Sequence, residues 1–337
     1  LVAIAALAAT GAFAQSSVVI DGYFDRGYTV TNSTLNTSDL KTISSSAGTT
    51  TVGIKVREDL GNGLSVGGSV NTDWSDLGGA SQANAVANAQ TSGFANSQSF
   101  VDVTDAKLGT LRLGTPNNFT LTNATAVASP AFSTGIGSAY SASFSIANGL
   151  QTGASGTGGT VTEQAAITST ANAGARAIRI ANSVQYSSPA FAGASLHLGY
   201  TPQNNNVTAN GGAGNTVGVT EYALRYTNGP VDAMYSSIKY DVGSNGTTQT
   251  KLNAQSSTVA TPALSTNAMT VQDNTQNLLG VAYKVLPALT LNAGFGSFSS
   301  SGNNFKGSSQ SFGGTYTVGA WAVLAQIAKV DDKSSTN

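Results

Sequence analysis

Apolar and polar residues alternate along many short stretches of this chain, and tight turns separate those stretches. In residues 52–74, Val52, Ile54 and Val56 share one parity while two basic residues take the other, and the chain then turns and alternates again. Because successive side chains of a strand leave opposite faces, the pattern predicts a hairpin with one apolar and one polar surface. Such strands occur in half-buried sheets of soluble proteins and in membrane barrels whose polar face lines a lumen.

The same alternation predicts thirteen strands. They lie near residues 18–30, 48–58, 64–74, 96–106, 110–115, 173–187, 193–202, 217–228, 231–243, 275–286, 288–299, 308–318 and 320–330. Short turns that contain Gly or Pro alternate with longer polar connections, the longest of which is 116–172. This asymmetry is typical of outer-membrane barrels, which have short turns on the periplasmic side and long loops outside.

Composition narrows the function classes. The chain is 9% charged with a net charge of −1, which excludes a nucleic-acid binder by charge. It contains no Cys, so neither a disulfide nor a Cys-based metal site is available. No apolar run reaches the roughly 18 residues of a membrane helix, so any membrane span must consist of strands.

Parity carried through the predicted strands assigns an inward-facing set of charges. Apolar residues such as Leu224 and Leu279 face lipid in this interpretation, and the opposite parity faces the lumen. The inward set is Lys55, Arg57, Arg112, Arg179, Arg225, Lys239 and Lys284 against Asp21, Asp25, Asp102, Glu221 and Asp241. By that count the lumen is slightly basic.

The sequence indicates no enzyme. Asp21 and Asp25 flank a Tyr without a partner base, and no GxSxG elbow occurs. His197, the single His, is a poor metal site by itself. We therefore expect no catalytic residue, no metal and no cofactor. Two other classes stay open: a secreted or surface β-rich adhesin, and a substrate-specific channel with an aromatic track, for which Tyr23, Phe100 and Tyr235 are the inward candidates.

The first residues predict export. Residues 1–14 read as an apolar core followed by a small-x-small cleavage site at Ala12–Ala14, which is typical of a signal peptide, here without its basic start. The barrel domain would then occupy residues 15–337.

Four stretches resemble a known family in order and spacing. VVIDGYFDRGY, VGIKVREDLGNGLSVGGSV, SQSFVDVTDAKLGTLRLGT and NSVQYSSPAFAGASLHLGY are similar to the opening strands of the trimeric general porins of Gram-negative outer membranes. The resemblance implies an all-β, 16-stranded antiparallel transmembrane barrel, a homotrimer in outer-membrane lipid, with the long third loop folded into each pore. It implies passive diffusion of small hydrophilic solutes and ions.

The resemblance also implies a constriction between that loop and a basic wall. The candidates for the wall are Lys55, Arg57, Arg112 and Arg179. Family members commonly have acidic residues on the loop, whereas residues 116–172 contain one carboxylate, Glu163. We therefore expect Asn117, Asn118 and neighbouring Ser or Thr groups to line a neutral eyelet, with weak anion preference or little selectivity.

The predicted strand number is odd, whereas bacterial barrels have an even number. The family also ends in a strand with a terminal Phe, whereas this sequence stops at KVDDKSSTN. We expect that about three further strands complete the barrel of the full protein, and that the sequence given would not seal a barrel by itself.

Overall fold

The computed structural model describes residues 17–31, 40–44, 47–73, 95, 97–135, 137–140, 142, 182–202, 218–241, 248–252, 264–270, 274–300 and 306–333. Its strands are β1 Ser17–Tyr23, β2 Gly27–Thr31, β3 Leu40–Ser44, β4 Thr51–Gly61, β5 Leu64–Asp73, β6 Ser99–Asp105, β7 Gly109–Thr115, β8 Ser183–Ser187, β9 Ala194–Thr201, β10 Gly218–Asn228, β11 Val231–Asp241, β12 Thr248–Leu252, β13 Leu264–Thr270, β14 Asn274–Leu286, β15 Leu289–Ser300, β16 Lys306–Val318 and β17 Trp321–Asp332. A short helix, α1 Phe119–Asn123, continues as a π-helical turn, Ala124–Ala128.

Thirteen of these strands form one sheet in the order β1-β4-β5-β6-β7-β8-β9-β10-β11-β14-β15-β16-β17. Every neighbouring pair in it is antiparallel. Each sheet strand corresponds to one of the thirteen predicted strands. The all-β, antiparallel prediction is therefore confirmed, and chain order and sheet order agree because hairpins join sequential strands.

Four shorter strands depart from the prediction. The predicted strand 18–30 is interrupted after Tyr23, and its second half, β2, pairs with β3 instead of joining the sheet. At the interruption, the Asp25 carboxylate accepts a 2.8 Å hydrogen bond from the backbone N–H of Ala47. A second added hairpin, β12–β13, lies in the connection 244–274, for which the alternation predicts no strand.

Tight turns join the strands at one end of the sheet. The β4–β5 turn places Gly61, Asn62 and Gly63 at φ values of 82°, 54° and 82°. These left-handed values favour Gly and Asn over other residues. The turn chemistry therefore fixes the reversal that the alternating pattern predicts.

The two faces of the sheet differ in what they expose. In β10, Tyr222 and Leu224 are 48% and 55% exposed, while Glu221 and Ala223 are 3% and 0% exposed. We call the face that carries Glu221 and Ala223 the inner face, and the other the outer face. A soluble sheet would cover its apolar face and wet its polar one. Here the apolar face is uncovered and the polar face is filled, which is the arrangement of a membrane barrel.

The lipid assignment of the outer face gives the first prediction. Leu224→Arg, in the middle of β10, should lower the free energy of unfolding from lipid vesicles by about 2–4 kcal/mol, because a guanidinium at mid-bilayer loses its hydration. Leu324→Arg is the matched control, since Leu324 shares a face with Gln326 on the inner side of β17 and is 41% exposed. Its cost should stay within about 0.5 kcal/mol. Urea titration of vesicle-inserted protein measures both values, and equal costs would contradict the face assignment.

Candidate functional site

The chain turns to the inner face directly after β7. We call residues 116–140 the inner segment; all but residue 136 are described. Its helix starts at Asn118, whose side-chain Oδ1 accepts a 2.7 Å hydrogen bond from the N–H of Leu121. This cap satisfies one of the free N–H groups at the start of α1. The predicted infolded loop is thus present in the described first part of 116–172.

The start of α1 is fastened to β9 and β10. The carboxylate of Glu221 is buried and accepts a 2.7 Å hydrogen bond from the backbone N–H of Thr120. The Phe119 ring lies 4.9 Å from the imidazole of His197. The ring nitrogens of His197 contact the hydroxyls of Ser187 and Ser195 at 2.9 and 3.0 Å. One strand pair therefore positions the entrance of the inner segment.

Apolar contacts continue along β10, β11 and β14. Two buried clusters join the inner segment to the wall. The first contains Leu121, Ala124, Ala128, Ala139, Tyr140, Val219, Ile238, Tyr240 and Leu278, and the second contains Phe119, Val127, Ala223 and Met234. The inner segment thus covers this part of the inner face and removes it from water.

Buried amides complete the attachment. Nδ2 of Asn123 donates to the backbone oxygens of Met234 and Leu278 at 2.9 and 2.8 Å. Nδ2 of Asn292 donates to the backbone oxygen of Ala128 at 2.7 Å. A buried amide without a hydrogen-bond partner costs free energy, so these bonds fix the position of the segment along the strands of the wall.

The far part of the inner segment touches both ends of the strand order. The hydroxyls of Thr134 and Thr49, which precedes β4, are 2.9 Å apart. The amide nitrogen of Gln326 on β17 lies 3.2 Å from the hydroxyl of Ser129. Because the first and last parts of the sheet reach the same short segment, the sheet curls around it.

The wall from β1 to β7 carries charges instead. We call Asp21, Lys55, Arg57, Asp102 and Arg112 the charged wall. Lys55 forms an ion pair with Asp21, and Arg57 donates to Asp102 at 3.1 Å. The guanidinium of Arg112 lies 3.9 Å from Asp102. These side chains share the inner face because their residues stand in register across neighbouring strands.

Further contacts hold the two guanidiniums in place. Arg57 donates to the hydroxyl of Ser65 at 2.6 Å. Cζ of Arg112 lies 4.2 Å from the centroid of the Phe100 ring, within the range of a cation–π contact. The side chains of Arg57 and Arg112 are 47% and 32% exposed, whereas that of Asp102 is 5% exposed. Water therefore meets the cations while the carboxylate lies beneath them.

A polar cavity separates the inner segment from this side of the sheet. Its volume is about 430 Å³. It is lined by Tyr23, Thr49, Thr51, Asn71, Asp73, Ser97, Gln98, Asn117, Leu121, Thr125, Pro130, Ala131, Ser133 and Thr134. Strand residues and inner-segment residues thus face each other across it, and Lys55, Arg57 and Arg112 are not among its lining residues.

The two predicted eyelet amides have different surroundings. Asn117 lines the cavity, and its backbone N–H and oxygen are bonded to the side chains of Gln98 and Gln185, both at 2.9 Å. Asn118 is buried and caps α1. The expectation that Asn118 lines the eyelet is therefore wrong, because the side chain is used to start the helix.

The predicted inward positions of Lys239 and Asp241, at the end of β11, are wrong. Lys239 pairs with Thr220, whose neighbour Glu221 is on the inner face, so Lys239 is on the outer face together with Asp241 and Tyr235. The sequence pattern gave the opposite parity because buried Ser236 and outer-face Tyr235 reverse the usual polarity.

Three other predicted lumen charges, Glu221, Arg225 and Lys284, are on the inner face with different surroundings, and Asp25 lies between β1 and β2. Glu221 lies under α1 and away from water. Arg225 is paired with Asp232 through two hydrogen bonds of 2.9 and 2.6 Å. Lys284 is exposed next to the turn at Pro287, and Asp25 holds residues 47 and 48. Arg179 and Glu163 lie outside the described residues.

Sequence reasoning missed the features that seat the inner segment. Asn123 and Asp73 were not singled out, and neither were the glycines at inward positions of β14 to β16. A signal was present for the glycines, since Gly280 and Gly294 share parity with the lumen side of their strands. Glycine at repeated positions on one face of a sheet indicates that another part of the chain approaches that face closely.

Within the described residues, no helix is long and apolar enough to cross a membrane. No group of three or more His, Cys, Asp or Glu side chains in this part of the chain is placed to hold a metal ion.

Comparison with solved structures gives the fold of known porins. The anion-selective porin from Comamonas acidovorans superposes with a TM-score of 0.63 at 21% identity, covering 95% of this chain and 80% of that one. A loop-deletion form of OmpT, an outer membrane protein of Vibrio cholerae, gives 0.52 at 12% identity, with coverages of 94% and 82%. OmpF of Salmonella typhi, in complex with daunomycin, gives 0.50 at 12%, with coverages of 94% and 79%.

Comparison at the level of sequence agrees. No curated protein matches the chain. Residues 1–337 match the family described as Gram-negative porin, which covers the whole sequence. The infolded segment, the apolar outer face and this match support one conclusion: the chain belongs to the Gram-negative porin family, whose members are outer-membrane diffusion channels.

Proposed function

We propose that solutes cross this porin between the inner segment and the charged wall, and that the passage weakly prefers anions. One observation carries the proposal: the side chains of Arg57 and Arg112 are partly exposed while the carboxylate between them, Asp102, is buried. An ion in the lumen therefore approaches positive charge first. The low-dielectric wall around a narrow aqueous path strengthens such a field.

The size of the preference follows from the charge balance. Lys55 and Asp21 form an exposed pair that is neutral at a distance. Two arginines share Asp102, which leaves one net positive charge on the charged wall. Asp73 adds one negative charge to the cavity lining. It lies on β5 of the same wall, about 20 Å along the strand from Gly67, which pairs with Arg57, so salt screens it from the arginines. A single charge that acts within a screening length of roughly 8 Å supports a weak preference rather than strict selectivity.

The inner segment contributes polarity without charge. Residues 116–142 contain no Asp, Glu, Lys or Arg. The cavity side of the segment presents Thr125, Ser133 and Thr134. A transverse field between opposite charges, which an acidic loop would create, is therefore weak along this part of the path. The Comamonas acidovorans porin is described as anion-selective, which agrees with the sign proposed here.

The proposal extends to assembly and processing. We infer that three copies assemble in outer-membrane lipid, as the family resemblance implies, and that residues 1–14 are a signal peptide removed on export. The solutes are small and hydrophilic, because a polar path lets them keep hydration that a hydrocarbon layer would remove. The protein would act as a passive channel without catalysis.

The two alternative classes have less support. An adhesin would not need one apolar face, yet exposed apolar residues recur on the outer face from β1 to β17. A substrate-specific aromatic track needs a row of inward aromatic side chains. Of the three candidates, Tyr235 is on the outer face, which leaves Tyr23 and Phe100, and the Phe100 ring is covered by Arg112.

Removing the cations tests the sign of the selectivity. The variant Lys55→Ala/Arg57→Ala/Arg112→Ala should shift the reversal potential of the full-length protein towards cations in a salt gradient, because Asp21 and Asp102 are then uncompensated. The shift should shrink at high salt, where screening is stronger. Lys107→Ala is the control, since Lys107 lies in the β6–β7 turn outside the lumen. An unchanged reversal potential in the triple variant would remove the charged wall from the selectivity filter.

Neutralising the shared carboxylate tests the same account in the opposite direction. Asp102→Asn keeps the shape of the side chain and leaves Arg57 and Arg112 without their counter-charge. The reversal potential should move further towards anions, and the variant should lose stability by roughly 1–3 kcal/mol because a charged hydrogen bond is lost. Planar-bilayer recordings give the first quantity, and urea titration gives the second. A move towards cations would refute the proposed role of Asp102.

A further inference from the structure

The inner segment sits unusually close to the backbone of β14, β15 and β16. Three glycines on the inner face make this approach possible, and we call Gly280, Gly294 and Gly313 the glycine recess. A Cβ atom at Gly294 would lie 2.9 Å from Cβ of Ala128, 3.0 Å from Cβ of Ala139 and 2.7 Å from the hydroxyl oxygen of Ser311 on β16. Real Cβ atoms almost never approach other carbons so closely, so any side chain here would displace the segment.

The neighbouring glycines act on the same segment. A Cβ atom at Gly280 would lie 3.0 Å from the backbone nitrogen of Ala128 and would collide with Oδ1 of Asn123. A Cβ atom at Gly313 would collide with the amide oxygen of Gln326, the residue that also contacts Ser129 of the segment. The recess therefore accommodates the segment directly at two positions and through Gln326 at the third.

Hydrogen bonds show that the segment is held at the bottom of this recess. Asn123 reaches the backbone oxygen of Leu278 at 2.8 Å, and Asn292 reaches the backbone oxygen of Ala128 at 2.7 Å. Nδ2 of Asn292 also lies 3.0 Å from Oε1 of Gln326. Short side-chain amides make these bonds only when the segment touches the wall, so contact and recess depth are linked.

We propose that the glycine recess sets the width of the pore. The segment has the recess on one side and the 430 Å³ cavity on the other. When the segment moves away from β15, the cavity between the segment and Tyr23 and Thr51 becomes narrower. β15 itself cannot yield easily, because it pairs along most of its length with β14 and β16. The inference concerns width alone, and it rests on the solute path proposed above.

Graded substitution at one glycine tests the inference. Gly294→Ala and Gly294→Val add one and three carbons between β15 and the segment. Single-channel conductance of the full-length protein should fall in that order, and the largest sugar that enters proteoliposomes should become smaller. Gly314→Val is the matched control on β16: its Cβ would press on the backbone oxygen of Thr290 at 2.9 Å, on the outer face and away from the segment. It should leave conductance unchanged.

Removing methyl groups from the inner segment should restore the conductance that is lost when a methyl group is added at Gly294. In Gly294→Ala/Ala128→Gly/Ala139→Gly/Ser311→Ala the two methyl groups and the hydroxyl that the added carbon would meet are removed, so conductance should return towards the parental value. Single-channel recording counts only channels that have formed, so poor folding lowers their number and not their size.

Three results would overturn the inference: unchanged or larger conductance in Gly294→Val, an equal loss in Gly314→Val, or failure of the rescue. The reversal potential separates this test from the selectivity proposal. If the wall charges set selectivity but the recess does not set width, Gly294→Val keeps both the sign of the selectivity and the conductance. If the solute path itself is wrong, the charge variants fail independently.

Discussion

The position of the inner segment against β10, β11, β14 and β15 determines where water can pass through this barrel. The segment is a stretch of chain inside a sheet, so its backbone polar groups and its apolar side chains need partners at once. Glu221, Asn123 and Asn292 supply hydrogen bonds, while Ile238, Leu278 and their neighbours supply a dry surface. Once this side of the lumen is occupied, the open path can lie only along the opposite side, where the charges are.

The division between two halves of the inner face is the basis of the function. One half is built of small or apolar residues and accepts a segment of the chain. The other half carries Lys55, Arg57 and Arg112 with their carboxylate partners and stays hydrated. The outer face exposes apolar residues around both halves, as contact with lipid requires. Structure and selectivity are thus assigned to different strands, which lets charges on β4 and β7 vary without disturbing the seat of the inner segment.

Much of this could be predicted from the sequence, because period-two alternation records burial directly. It predicted thirteen sheet strands and the inner-face positions of Arg57 and Arg112. It failed at Lys239, where a local run of Ser, Ser and Ile reverses the usual polarity. It also failed at Asn118, whose side chain caps α1. It placed Glu221 on the inner face but did not predict the contact with Thr120, which is over 100 residues away in the chain. Contacts of that kind leave no periodic trace, and only the inward glycines give a local hint of them.

The most direct test of the segment's position uses the absence of cysteine from the sequence, so that one introduced thiol is unique. Thr125→Cys should be modified rapidly by a charged thiol reagent and should reduce the single-channel current, because Thr125 lines the cavity. Ala128→Cys, buried against Gly280 and Gly294, should be protected. Protection at Thr125 together with modification and block at Ala128 would show that the segment turns its other side to the water, and would contradict the account.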